Sequence, residues 1–300
     1  MPLYQITSES KVSQVKPTSF QSEKQLQKLF EANLDQLLGV RFIGSEFFTG
    51  DRQRGRIDTL GLDQDGSPTI IEYKKSSKEN VINQGLFYMD WLVDHKGDFI
   101  IATQNVLGNG IDIDWSQPRL ILIAESFSEY DKYAVNRIGA NIELWTFRCY
   151  GENFLYLDPL FTTNPVKVSK TSKGDVEVPL VAYTIEDHLK GKDDNIRALF
   201  LALQERIISL AEEGEILEKP VKTYIGYKHG KNFCEVEIQA NSLKIWIDIH
   251  AEGLEDPHNY GRDVSEIGHY GTGDVEVRLK SFNDLDNIMN LIDQAYRLTT

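Results

Sequence analysis

The sequence predicts an α/β protein: a mixed sheet flanked by helices, followed by a smaller α+β domain. Three observations carry that reading. Helical and strand-like hydrophobic periods alternate over residues 21–161. Residues 162–181 lose that periodicity and become rich in Lys, Ser, Thr and Val, the character of a linker. Helix, strands and helix then recur over residues 182–300.

Each element has a local reason. Residues 1–20 are polar and read as a loosely held arm. Ser22 is a candidate N-cap for a helix in which Leu26, Leu29, Phe30, Leu34, Leu37 and Leu38 recur at helical spacing and which Gly39 ends. Strand-like runs follow at 41–48, 56–63 and 69–75, and the Asp63-Gln64-Asp65-Gly66-Ser67-Pro68 segment is turn chemistry. A long helix is expected from about Glu79 to His95. Strands are expected at 98–103, 119–125, 142–148 and 153–157, with a helix at 127–138. In the second domain Leu199, Leu203 and Ile207 mark an amphipathic helix over 196–211. Strand-like runs at 222–228, 233–239 and 243–249, a Gly/Asp/His-rich loop at 252–273, a strand at 275–279 and a closing helix at 283–296 complete it.

Composition narrows the function. The chain has 300 residues, 32 basic against 46 acidic, and a net charge of −14. That balance excludes a coating-type nucleic-acid binder, which needs a basic face, but not an enzyme with a local basic cleft. Residues 52–78 reverse the sign, with Arg52, Arg54, Arg56, Lys74, Lys75 and Lys78 against Asp58, Asp63, Asp65 and Glu72. No apolar run approaches the roughly 20 residues of a membrane span, and the first residues have no apolar centre of a signal peptide. Cys149 and Cys234, far apart in strand-like text, read as reduced core residues of a cytoplasmic protein.

The chemistry concentrates in Gly55-Arg56-Ile57-Asp58 and Ile71-Glu72-Tyr73-Lys74. Strand side chains alternate, so Glu72 and Lys74 share a face with Ile70. The two runs are expected to pair antiparallel, because the segment joining them is too short for a crossover. A two-residue turn at Asp65-Gly66 would pair residues summing to 131 and set Asp58 opposite Tyr73, on the wrong face from Glu72. An odd loop centred on Asp65 gives 130, placing Asp58 opposite Glu72 and Leu60 opposite Ile70. Pro68, which cannot donate to a ladder, favours the odd loop or an equivalent bulge. Two opposed carboxylates repel unless a hard divalent cation sits between them. A lysine beside that cation can orient or deprotonate a water, or stabilise charge on a phosphate. On the next helix Gln84, Tyr88, Trp91 and His95 form one stripe and Ile82, Leu86, Met89 and Val93 another. The second stripe and Trp91 read as core; the tips of Gln84 and Tyr88 can reach a site.

The ordered set of Glu23, Gly55-Arg56-Ile57-Asp58, Glu72-Tyr73-Lys74, Gln84 and Tyr88 resembles the PD-(D/E)XK nuclease superfamily, and within it the branch of the NucS endonucleases. The resemblance covers about residues 20–160. It implies a restriction-endonuclease-like mixed sheet and Mg²⁺- or Mn²⁺-dependent hydrolysis of DNA, in repair or in defence. It also implies roles. Asp58 and Glu72 would be metal ligands with the Tyr73 carbonyl; Lys74 would be the catalytic lysine; Glu23 would be the accessory acid, with Glu31 and Glu46 as competitors; Gln84 and Tyr88 would line the site. Arg54, Arg56, Lys75 and Lys78 are the candidate DNA contacts. DNA is the expected partner, with no membrane contact and a homodimer left open. The alternatives are a nuclease fold that binds nucleic acid or protein without cutting, and a transport-associated regulatory protein.

The second domain resembles an uncharacterised domain found behind such nuclease-like domains, some of them labelled predicted transport proteins. His258 and His269 with Asp256, Asp263 and Asp274 suggest either a second metal site or a polar loop packed on the sheet. Gly271-Thr272-Gly273 lacks the strand-to-helix setting of a phosphate loop.

Overall fold

The computed structural model describes residues 2–8, 10–50, 54–75, 81–138, 140–162, 183–212, 214–268 and 271–299. The expected linker therefore lies, from residue 163 on, outside the described residues, as do Arg52, Lys78 and His269.

The fold is mixed α/β, with a larger sheet flanked by helices and a separate smaller sheet, as the sequence predicts. The N-terminal arm is more ordered than expected. β1 (Leu3–Ile6) and β2 (Val12–Val15) form a hairpin, and β3 (Pro17–Thr18) pairs with the larger sheet. The single helix expected up to Leu38 is two, α1 (Glu23–Glu31) and α2 (Leu34–Leu38). Ser22 caps α1 by accepting from the Gln25 amide, and the break falls at Asn33, whose side chain donates to the Leu29 carbonyl. Gly39, at φ 61°, ends α2 in the left-handed conformation that glycine takes without strain.

β4 (Val40–Phe48), β5 (Arg56–Asp63) and β6 (Pro68–Lys74) then pair antiparallel. α3 (Val81–Asp94) follows, then α4 (Lys96–Leu107), where a strand was expected at 98–103. The run Asp98-Phe99-Ile100-Ile101-Ala102-Thr103 has β-branched propensity, but only Phe99 and Thr103 of α4 are buried, one helical turn apart, while Ile101 is exposed. Burial of one stripe against the sheet outweighs the local preference, as short apolar runs allow.

β7 (Arg119–Ala124), α5 (Glu129–Ile138), β8 (Asn141–Tyr150) and β9 (Phe154–Thr162) complete the sheet. Its order is β3-β8-β7-β6-β5-β4, with β9 also on β8, and β6, β7 and β8 are parallel. One apolar layer lies between the sheet and α3 and α4; the other holds Leu26, Phe30, Tyr73 and Trp145 under α1 and α2.

In the second region α6 (Ile185–Leu189) and α7 (Asp194–Ile208) precede a six-stranded sheet. Its strands are β10 (Leu217–Pro220), β11 (Ile225–His229), β12 (Lys231–Ile238), β13 (Leu243–Ile247), β14 (Arg262–Asp263) and β15 (Val275–Leu279). The strand expected at 222–228 starts at Ile225, because a turn closed by the Val221 amide on the Tyr224 carbonyl precedes it. β10 was not foreseen; its Pro220 sits on an edge strand, where no ladder donor is lost. α8 (Leu285–Arg297) and α7 pack on one face of this sheet. The other face receives the β5–β6 turn.

Candidate active site

The β5–β6 register decides the site. Thr59 pairs with Ile71, Leu60 with Ile70 and Leu62 with Pro68, so paired residues sum to 130 across a five-residue loop, 63–67. The hydrogen-bonded ladder stops at Thr59 and Ile71. At the next step, Asp58 and Glu72, side chains replace it: the Tyr73 amide donates to Asp58 Oδ2 at 3.1 Å and the Asp58 amide donates to Glu72 Oε1 at 3.0 Å.

Glu72 is fully buried, and Gln84 Nε2 on α3 donates to its Oε2 at 2.7 Å. Burial, and then the neighbouring Asp58 carboxylate, push Glu72 up to about 9; burial likewise raises Asp58, though the Tyr73 amide and Lys74 oppose it. A carboxyl pair that resists double ionisation is a donor set a hard divalent cation satisfies. Among the described residues no three His, Cys, Asp or Glu side chains converge, so two carboxylates would supply the protein charge, with carbonyl and water oxygens completing the shell.

α1 covers the other side. Glu23 Oε2 lies 3.6 Å from the Lys74 ammonium, and Glu23 Oε1 accepts from the Lys75 amide at 3.0 Å. Its two competitors have partners of their own, and Glu46 also helps to raise Asp58. Glu31 accepts from Gln27 and from Thr59, and Glu46, opposite Asp58 on β4 and at φ 50°, is paired with Lys24 at 2.7 Å. Gln27 joins the site from the same helix face as Glu23. It is buried and donates to Glu31 Oε1, Ser45 Oγ and, at 2.6 Å, the Asp58 carbonyl. Its signal was the spacing i, i+4 from Glu23, which puts both on one helix face.

The remaining expected residues are placed as follows. Tyr73 sends its ring into the opposite layer, edge-on to Phe30 at 5.6 Å, which leaves its backbone beside the carboxyls. Tyr88 accepts from the Arg56 amide at 3.2 Å and packs over Gly55, where a Cβ would come within 2.5 Å of its ring, so it braces the entry to β5. Trp91 is core and stacks on His95 at 4.9 Å. Arg54 and Arg56 are exposed at the start of β5, and Lys75 follows Lys74 at the same strand end. In the second domain Asp256 accepts from the His258 and Gly261 amides, Asp263 from Ser265, and Asp274 bonds His250. Asp256 and Asp263 are thus used in their own turns, and Asp274 reaches across to His250.

No helix is long and apolar enough to cross a membrane among the described residues. Residues 185–299 match the family described as Domain of unknown function (DUF5655). Among solved structures, a repair endonuclease from Pyrococcus abyssi is 20% identical over 42% of this chain and 47% of its own, with TM-score 0.25. EndoMS in its apo form is 22% identical over 44% of this chain and 48% of its own, with TM-score 0.29. The chain thus spans about half the length of the solved structures it matches, and likenesses of that size do not extend to function. An "Uncharacterized protein" of Haemophilus influenzae is 34% identical over 301 residues, 97% of this chain and 98% of its own. By that full-length likeness the chain belongs to the same family as the Haemophilus influenzae protein.

Proposed function

We propose that the chain is a Mg²⁺- or Mn²⁺-dependent endonuclease that hydrolyses phosphodiester bonds of DNA. The observation that carries the reading is the odd register, which opposes Asp58 to Glu72 with Lys74 on the same strand end. Asp58, Glu72 and the Tyr73 carbonyl would hold the cation. When bound, the cation neutralises developing charge on a phosphate oxygen and makes an attacking water more acidic. The protein's own groups do the rest. Gln84 and the Asp58 amide fix both oxygens of Glu72, and the Tyr73 amide fixes Asp58, so the carboxylates need no reorganisation. Lys74, 12% exposed, presents its ammonium where a scissile phosphate gains negative charge, and Glu23 holds it there. Arg54, Arg56 and Lys75 supply positive charge for the DNA backbone, which fixes position without reading sequence; Lys78 is a further candidate from the sequence.

The test is incubation of the full chain with single-stranded, duplex and branched DNA, with and without Mg²⁺ or Mn²⁺, beside Lys74→Ala and Asp58→Ala. Cation-dependent cleavage that falls at least about a hundredfold in each variant is expected. Cleavage at the wild-type rate in either variant refutes the assignment. DNA binding without cleavage in the wild type favours the binding-module reading instead.

A further inference from the structure

The turn that sets the register is not held by its own domain alone. The side chains of Asp63 and Asp65 are completely buried, and two buried lysines of the second sheet meet them. Lys219 Nζ on β10 lies 3.2 Å from a carboxylate oxygen of each, and Lys228 Nζ on β11 lies 3.0 Å from Asp63 Oδ2 and 2.5 Å from Asp65 Oδ2. The second sheet grips the rest of the turn too. Lys219 donates to Ser67 Oγ at 2.7 Å, and the Asn232 amide donates to Gln64 Oε1 at 2.9 Å. Tyr224 and the Asn232 side chain donate to Asp65 Oδ1 at 3.0 and 2.8 Å. Within the turn Asp63 Oδ1 accepts from the Asp65 and Ser67 amides.

We propose that Lys219 and Lys228 are positioning residues for the carboxylate hairpin: by pairing with Asp63 and Asp65 they lock its odd loop and thereby hold Asp58 opposite Glu72. The proposal rests on the phosphodiesterase reading of that carboxyl pair, and it gives the DUF5655 region a task within the same molecule. Strand side chains have period two, so a one-residue change in the loop turns Asp58 away from Glu72. Two adjacent buried carboxylates without counter-charges either move toward water or take up protons, and in both cases the ion pairs that fix the loop are lost. Buried ion pairs also contribute little net stability compared with apolar groups of similar volume. What four converging charges do supply is one allowed arrangement of the turn.

The experiment compares the full-length wild type with Lys219→Met/Lys228→Met. It adds a charge-balanced variant that also carries Asp63→Asn and Asp65→Asn, which keeps the Oδ1 acceptor at 63 and leaves no orphan charge. Four readouts are taken: melting temperature, Mn²⁺ affinity by calorimetry against an Asp58→Asn/Glu72→Gln control, amide hydrogen exchange, and steady-state kinetics on DNA. In the charge-balanced variant, still melting cooperatively, Mn²⁺ affinity should fall at least tenfold, and the Asp58 and Tyr73 amides should exchange at least tenfold faster. On DNA, kcat should fall while KM holds. Wild-type Mn²⁺ affinity and wild-type protection of those two amides overturn the proposal. So does an equal acceleration across β7 and β8, which would mark general loosening. Absence of Mn²⁺ binding in the wild type counts against the nuclease reading, and amide exchange then decides the clamp by itself.

Discussion

Replacing Glu235 with Gln should flatten the pH dependence of stability between about pH 4.5 and 7. Glu235 is fully buried on β12, and its Oε1 accepts from Thr272 Oγ1 and from Asn232 Nδ2 at 2.9 Å. Its Oε2 is buried without a hydrogen-bond partner, as is Asn232 Oδ1. Burial first, then Asp65 and Asp248, push the carboxyl from 4.5 up to about 7, against the lowering effect of the Thr272 and Asn232 hydrogen bonds. The folded state therefore binds a proton more readily than the unfolded one. Its contribution is complete below the unfolded value and is lost as pH rises through the folded value. The interval of about 2.5 units, at about 1.4 kcal/mol each, corresponds to roughly 3 kcal/mol. Gln keeps the Oε1 acceptor and adds a donor where Oε2 lacked a partner, so the two proteins should differ least at pH 5, the acid end of the range. By pH 8 the variant should be more stable by up to about 3 kcal/mol. Urea unfolding at half-unit steps from pH 5 to 8 measures this, with the difference between the two proteins cancelling the titration of other groups. Parallel curves would refute the reasoning.

Arg119 is buried and donates bidentately to Glu143 at 2.5 and 2.9 Å, and to the carbonyls of Leu38 and Gly230. Arg119→Met, which orphans Glu143, should cost about 3–5 kcal/mol by denaturant unfolding, and adding Glu143→Gln should recover a large part of it; no recovery would show the loss is packing and not charge. Gly230, at φ 78°, seats the Trp145 ring, where a Cβ would lie 2.3 Å from the indole. Gly230→Ala should lower stability by about 1–3 kcal/mol and change the Trp145 fluorescence environment; an unchanged melting curve would mean the seam between the sheets is not shared.

Much of the site was legible because it is built from local rules. Turn chemistry at 63–68 and a proline at the head of β6 imply an odd loop, and strand alternation then brings Asp58 to Glu72. Ser22 before the first apolar period marks where α1 begins, and so places Glu23 near the end of β6. Where an element's partner is distant, local rules fail. The apolar run at 98–103 reads as strand by propensity, and only the layer it packs against makes it a helix. The spacing of Tyr88 says nothing of its bond to the Arg56 amide, which depends on the close approach that Gly55 allows. Asp63 and Asp65 look like solvated turn residues in the sequence, because the lysines that neutralise them lie more than 150 positions away. Hydrogen-bonding and side-chain period are properties of neighbouring residues, so the sequence by itself determined the hairpin and its carboxyl pair. Burial of charge depends on which distant groups meet, so only the tertiary structure decided that the turn of that hairpin is held by the second domain.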